Sequence, residues 1–371
     1  MAAPAPRPGI LDIAPYIGGE SSAPGVNRLI RLASNEGAHG PSPHAVAAYT
    51  RDAEAIHRYP DGGATRLRTA LGRKWGLDAQ RIVVGCGSDE LIGLLCRAYA
   101  GPGDEVLHSA HGFLMYPIAA HTVGATPMAA PEHDLTTDVD AILAQVTDRT
   151  RIVFLANPNN PTGSYLPAAE MARLHAGLPG DVLLVIDAAY AEYVDRPDYE
   201  PGIALVEAHD NVVMTRTFSK IYALGGLRLG WAYCPAAIAD VLNRVRGPFN
   251  VGAPALAAGL AALEDHDFVA MSQRHNDTWR AWFSAQVTAL GLRAYPSVTN
   301  FVLIGFPGSG DAPDRGARAA EAARQFLKRH GILVRQMGAY GLADCLRVTI
   351  GREDEMRAVV EVLGRFLAEP S

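Results

Sequence analysis

Two basic side chains sit eight residues apart on a glycine-rich stretch. Lys220 ends Thr217-Phe218-Ser219-Lys220, and Arg228 lies in Gly225-Gly226-Leu227-Arg228-Leu229-Gly230. Asn211 to Thr215 reads as a short buried strand, so Lys220 stands where a strand gives way to a loop. An ammonium held beside a sheet is costly unless it is paired or chemically used. One use that removes the charge is a Schiff base with an aldehyde. Arg228, flanked by glycines that let the backbone approach closely, could hold a phosphate. A surface lysine and arginine on a glycine loop is the plainer alternative, since lysine is rarely buried.

Three other strand ends carry polar groups. Asp181 to Ile186 is an apolar run that suits a strand covered on both faces, and Asp187 and Tyr190 follow it. Arg151 to Ala156 runs into Asn157-Pro158-Asn159-Asn160-Pro161-Thr162-Gly163, a rigid turn that offers the Asn160 amide. Arg81 to Val84 is followed by Gly85-Cys86-Gly87-Ser88-Asp89-Glu90, and then by Leu91, Leu94, Leu95 and Ala98 at helical spacing. That glycine turn opens a helix whose exposed N–H groups attract a phosphate. In open α/β sheets, ligands bind at the carboxyl ends of the strands.

Together these motifs resemble the fold-type I, pyridoxal-phosphate-dependent aminotransferases, and within that group are most similar to the histidinol-phosphate aminotransferases. The likeness runs from about Gly9 to Phe366, with residues 157–163, 187–193, 217–233 and 345–351 in the family's order. The resemblance implies catalytic roles for Lys220, Asp187 and Tyr190. Lys220 would form the Schiff base with pyridoxal 5'-phosphate and then act as general acid and base. Asp187 would pair with the ring nitrogen. Tyr190 and Asn160 would bond the ring's phenolic oxygen. Gly87, Ser88 and Asp89, with Thr217, Ser219 and Arg228, would form the phosphate cup. Phe113 would stack on the ring, a core phenylalanine being the alternative. Tyr59 would reach a neighbouring subunit's cofactor phosphate, which requires a homodimer, and a turn tyrosine is the alternative.

Substrate recognition is expected toward the chain ends. Leu346 to Gly351 alternates like a strand and projects Arg347, which resembles the family's substrate-anion arginine. Arg335 is a second candidate on a nearby strand, and two guanidiniums fit a dianionic phosphate. Tyr16 matches a tyrosine that holds the substrate's phosphate end, and Asn35 belongs to the loop bordering the same pocket. For Arg335 and Tyr16 a structural role is equally open. The family commonly continues Asn-Glu-Asn/Thr-Pro, whereas this chain reads Asn35-Glu36-Gly37-Ala38-His39-Gly40. That departure bears on substrate choice.

The elements that must position these groups alternate strand and helix from about residue 40 to 245. The fold class expected is therefore α/β, with a mostly parallel sheet in a large cofactor domain and a smaller α/β carboxyl-terminal domain. The boundaries expected are an arm over 1–39, the large domain over 40–250 and the small domain over 251–371. The small domain would contain one long helical segment from about Ala255 to Leu290, a strand at 301–304, and a helix from about Ala317 to His330. The two arginine strands and a final helix complete it. Gly308 to Gly316 reads as a mobile polar loop.

The 371 residues carry a net charge of −6, which gives no basic footprint for nucleic acid. No apolar run reaches the roughly 18 residues of a membrane span. The amino-terminal stretch lacks the pattern of a secretory signal. The four cysteines show no CxxC spacing, so neither zinc nor a disulfide framework is indicated, which suits the cytoplasm. The expected reaction is amino transfer between histidinol phosphate and 2-oxoglutarate, in histidine synthesis. An aromatic amino acid aminotransferase and a phosphothreonine decarboxylase are alternatives. A cofactor-sensing regulator is a further one, for which no residues remain to form a DNA-binding domain.

Overall fold

The computed structural model describes residues 5–22, 25, 28–307 and 314–368. The strands in chain order begin with β1 (Ile30–Leu32), β2 (Ile82–Gly85), β3 (Glu105–Ser109) and β4 (Thr126–Ala130). A short pair follows, β5 (Glu132–His133) and β6 (Thr136–Thr137), and then β7 (Thr150–Ala156), β8 (Leu183–Asp187), β9 (Val212–Thr217) and β10 (Gly230–Tyr233). Seven of these form one sheet in the order β2-β10-β9-β8-β7-β3-β4. Its strands from β9 to β4 are parallel, and β10 runs against both β9 and β2.

A parallel sheet must be covered on both faces, and the burial of β8 follows from that. Leu184 and Ile186 enter one core, with Leu67, Leu71 and Trp231. Leu183 and Val185 enter the other, with Leu91, Leu95 and Tyr116. Successive residues of a strand point to opposite faces, so Asp187 continues the face of Leu183 and Val185.

The second sheet holds β11 (Arg293–Ala294), β12 (Phe301–Gly305), β13 (Ile332–Gln336) and β14 (Cys345–Thr349). Its order is β1-β13-β14-β12-β11, so the amino-terminal segment supplies an edge strand, parallel to β13. Arg335 of β13 and Arg347 of β14 are register partners.

Three expected elements differ. The single helix expected over Ala255 to Leu290 is two helices, Ala253–Glu264 and His266–Ala289. Asp265 interrupts it at φ −84 and ψ 73, and its carboxylate caps the second helix by accepting from the Phe268 N–H. The first helix buries Ala255, Ala258, Ala262 and Leu263 in the larger core, whereas Phe283 and Val287 of the second belong to the smaller. The next helix begins at Asp314, ahead of Ala317. The loop expected over Gly308 to Gly316 therefore ends in helix, and its residues 308–313 lie outside the described ones.

One buried ion pair lies behind the sheet's ligand end. Arg216 of β9 meets Glu192 at 2.8 Å, with side chains only 2% and 5% exposed. Its guanidinium packs on the ring of Trp75 at 4.3 Å and near Trp231 at 5.6 Å. Removing one member leaves an uncompensated buried charge. Glu192→Gln is therefore expected to cost about 3–5 kcal/mol in urea unfolding, and a Glu192→Leu, Arg216→Met double variant to recover most of it. Equal losses in the single and double variants would contradict this account.

Candidate active site

A cavity of about 320 Å³ opens at the carboxyl ends of β7, β8 and β9, between the two sheets. The large sheet and the turns that follow its strands contribute Asp187, Tyr190, Asn160, Thr217 and Lys220, and the small sheet contributes Arg335 and Arg347. Tyr16 and the strip Ala33 to Glu36 close it from the amino-terminal segment.

At one end lies an anion cradle. Gly87 takes φ +81 as the residue capping the helix Ser88–Tyr99, and a Cβ there would sit 2.5 Å from the Arg228 guanidinium. The turn thus demands glycine, and it places the helix's unpaired N–H groups beside Arg228. Arg228 itself, at φ 50, reaches the Ser219 hydroxyl at 3.3 Å and the Asp89 carboxylate at 2.8 Å. Ser88 and Thr217 line the same end. Hydroxyls, a guanidinium and a helix amino terminus form a donor set that suits a phosphate.

At the middle stands Lys220, half-buried, three residues past β9. Its Nζ donates to the Ser34 carbonyl at 3.4 Å and lies 5.7 Å from the centre of the Tyr190 ring. Burial and then the nearby charge of Arg347 bring its pKa down to about 8. Burial raises the Tyr190 phenol to about 12, against the pull of Arg347 and of a hydrogen bond from Asn35. That bond runs from Asn35 Nδ2 to Tyr190 Oη at 2.8 Å, which leaves the phenol proton to donate into the cavity. Asn35, at φ 58, is fixed by Thr349 through a backbone bond of 3.0 Å and a side-chain bond of 3.2 Å. Its Oδ1 and one of its two Nδ2 donors thus have protein partners, and the residue lines the cavity.

Arg347 is buried and meets only neutral acceptors. Nη2 donates to the Ala33 carbonyl at 2.9 Å, Nη1 to Asn160 Oδ1, and Nε has no partner. The Asn160 Nδ2 donors remain for the cavity. Arg335 donates to the Ile17 carbonyl at 2.7 Å and lies 5.8 Å from the Tyr16 ring centre. Among the described residues neither arginine has a carboxylate partner.

Asp187 is buried at the cavity floor. Its Oδ2 accepts from the Tyr116 phenol at 3.0 Å and its Oδ1 from the Thr215 hydroxyl at 3.2 Å. Burial raises its pKa to about 6, and these two donors oppose that rise. Tyr116 is the residue that sequence reasoning missed. It is fully buried, stacks on Phe154 at 4.6 Å and stands edge-on to Phe113 at 5.9 Å. The signal was parity: Asp187 faces the side of β8 against which Tyr116 packs. Phe113 lines the cavity on the loop between β3 and the helix Met115–Val123.

Tyr59 is the expected residue that stays away. It is 84% exposed and stacks on Phe249 at 4.7 Å. Gly37 gains a physical reason: a Cβ there would lie 2.7 Å from that of Ala223, in the turn that carries Lys220. His39 of the same loop packs edge-on against His275 at 4.3 Å.

The sequence model of the family described as aminotransferase class I and II matches residues 27–363. Curated histidinol-phosphate aminotransferases of Paramagnetospirillum magneticum and Rhodospirillum centenum are 64% and 65% identical, each alignment covering 99% of both chains. The crystal structure of histidinol-phosphate aminotransferase from Sinorhizobium meliloti, in complex with pyridoxal-5'-phosphate, superposes with a TM-score of 0.88. It is 28% identical and covers 99% of this chain and 98% of its own.

The Tyr116 phenol holds Asp187 in its ionised form, so Tyr116→Phe is expected to raise the carboxyl above its present value of about 6. Affinity of the apo-protein for pyridoxal phosphate, followed by fluorescence against pH, should then lose its acid limb at higher pH than in the parent. An acid limb at the same pH in both proteins would refute the role given to the phenol.

Proposed function

The chain belongs to the class I and II aminotransferases, and we propose that it exchanges the amino group of L-histidinol phosphate with 2-oxoglutarate. The observation that carries this substrate is Arg347, a buried guanidinium held only by neutral acceptors, with Arg335 as its register partner. Two adjacent cations without carboxylates suit a phosphate ester dianion better than a single carboxylate. Relatives named for this reaction, alike along nearly the whole chain, support the reading.

The cofactor is pyridoxal phosphate, and the residues present fit it. Gly87, Ser88, Asp89, Thr217, Ser219 and Arg228 would hold its phosphate. Asp187 would face its ring nitrogen, Phe113 its ring face, and Tyr190 and Asn160 its phenolic oxygen. When bound, the group supplies a ring that drains negative charge from the amine-bearing carbon of the substrate. Lys220 would hold the cofactor's aldehyde carbon and move the proton at that substrate carbon. A pKa of about 8 leaves part of its population neutral near pH 7, as a base requires. Asp187 would keep the ring nitrogen protonated by its negative charge. Arg347, Arg335 and Tyr16 would orient the substrate's phosphate.

We also read the chain as a cytoplasmic homodimer. Its four cysteines are free, and no helix among the described residues is long and apolar enough to cross a membrane. Ile56, Tyr59 and Phe249 are exposed apolar side chains of the cofactor domain, and Tyr59 stacks on Phe249. A partner there would receive Tyr59 at its own phosphate end. The packing of the helix Ala253–Glu264 into the larger core supports ending that domain at Asp265 rather than at residue 250.

Discrimination by ring contacts is modest, so kcat/KM for histidinol phosphate is expected to exceed that for phenylalanine by at least roughly tenfold. Comparable values would withdraw the substrate. The dimer reading is tested by mixing inactive Lys220→Ala and Tyr59→Ala chains after denaturation and refolding together. If Tyr59 acts across the interface, each mixed dimer contains one intact site and activity returns. No return of activity would place Tyr59 in its own subunit's chemistry, and a Tyr59→Ala chain active by itself would leave Tyr59 without a role.

A further inference from the structure

We propose that Glu36 is the acceptor for the cationic imidazole ring of the substrate, and that it selects this ring over uncharged aromatic ones. The inference rests on the histidinol-phosphate reading. Its basis is the strip Ala33 to Glu36, which crosses the cavity in a fixed order. The Ala33 carbonyl takes a hydrogen bond from Arg347 at 2.9 Å, and the Ser34 carbonyl one from Lys220 at 3.4 Å. Asn35 donates to Tyr190 at 2.8 Å. Glu36 is the next residue and also lines the cavity. Along the strip the order is anion clamp, reacting amine, carboxylate. Along the substrate it is phosphate ester, amine-bearing carbon, imidazole.

The cavity is lined by three carboxylates, and two are engaged. Asp89 pairs with Arg228, and Asp187 accepts from Tyr116 and Thr215. The Glu36 side chain makes no hydrogen bond or ion pair among the described residues, and it is exposed at the cavity mouth. Its backbone, by contrast, is held. The Asn300 amide donates to the carbonyls of Asn35 at 3.0 Å and of Glu36 at 3.4 Å. Gly37 abuts the Lys220 turn. A carboxylate on a fixed backbone with no partner of its own offers a place for a positive charge.

Imidazole suits that place. Its pKa of about 6.5 means that an adjacent carboxylate favours the protonated ring, which also donates N–H bonds. A phenyl ring offers neither charge nor N–H, so it would crowd the carboxylate without compensation.

The test compares Glu36→Gln with the parent holoenzyme on histidinol phosphate and on phenylalanine. Glutamine keeps the shape and removes the charge. The ratio of the two kcat/KM values is expected to fall about five- to tenfold, the range of one partly solvated charge-assisted contact. The fall should lie in KM and shrink as pH rises past about 6.5, where the ring loses its proton. The phosphate titrates near the same pH, but equally in both proteins, so their comparison removes it. An unaltered ratio, or a loss shared by both substrates, would overturn the proposal. A parent enzyme that does not turn over histidinol phosphate would instead overturn the reading beneath it.

Discussion

The substrate side of the site is organised by positive charge that the protein gathers without neutralising. Lys220 and Arg347 line one cavity, and Arg347 is oriented by one carbonyl, an amide oxygen and the ring face of Phe301 at 5.2 Å. Neutral acceptors fix a guanidinium's direction but leave its field intact. Part of that field falls on Lys220, where it adds to burial in lowering the pKa to about 8. An anion arriving at Arg347 would cancel that share and raise the proton affinity of the lysine. Binding of the substrate's anionic end is thereby coupled to the protonation of the amine that acts on the carbon nearby. Such coupling needs no moving part, only two cations close enough to repel.

Gathering cations in this way requires elements that do not depend on their attraction. The large sheet provides one set, because its central strands are secured by apolar residues on both faces and can end in polar ones. The small sheet provides the other, with Arg335 and Arg347 side by side in register. The segment carrying Ala33 to Glu36 joins the two. It is anchored as the β1 edge strand through Ile30 and Ile332, and it is bound again by Thr349 and Asn300. The departure at Gly37 belongs to this joint, since a larger side chain would push against the turn that bears the lysine.

The readable part of this arrangement was local. Apolar runs located β7, β8 and β9 to within a few residues, and a polar residue closing such a run marked Asp187, Asn160 and Lys220 as site residues. The unreadable part depended on pairs far apart in the chain. Tyr116 meets Asp187 across 71 positions, and only strand parity hinted at the contact. The interruption at Asp265 was hidden because apolar residues continue on both sides of it. The sequence does contain the cap, an aspartate three residues before Phe268, but Ser42 also bonds that carboxylate, and this second tie is tertiary. Arg216 lies one residue past the strand read from the sequence, Asn211 to Thr215, and belongs to β9. Its buried partner and its two tryptophans come from three other segments.

Two proton affinities bracket neutrality, and the second layer of contacts explains how. Asp187 titrates at about 6 and Lys220 at about 8, so between these values the carboxylate is charged while part of the amine is not. Burial acts on both, raising the acid and lowering the base, and alone it would favour a neutral pair. The two neighbours act differently. Tyr116 donates to Asp187 and opposes the effect of burial, which keeps the acid ionised at neutral pH. Arg347 repels the charged form of Lys220 and reinforces burial, which keeps the base available at that pH. A more polar pocket would ionise the carboxylate without help but would also return the lysine to its ordinary, fully charged state. Burial is therefore needed for the base, and the phenol offsets what burial does to the acid.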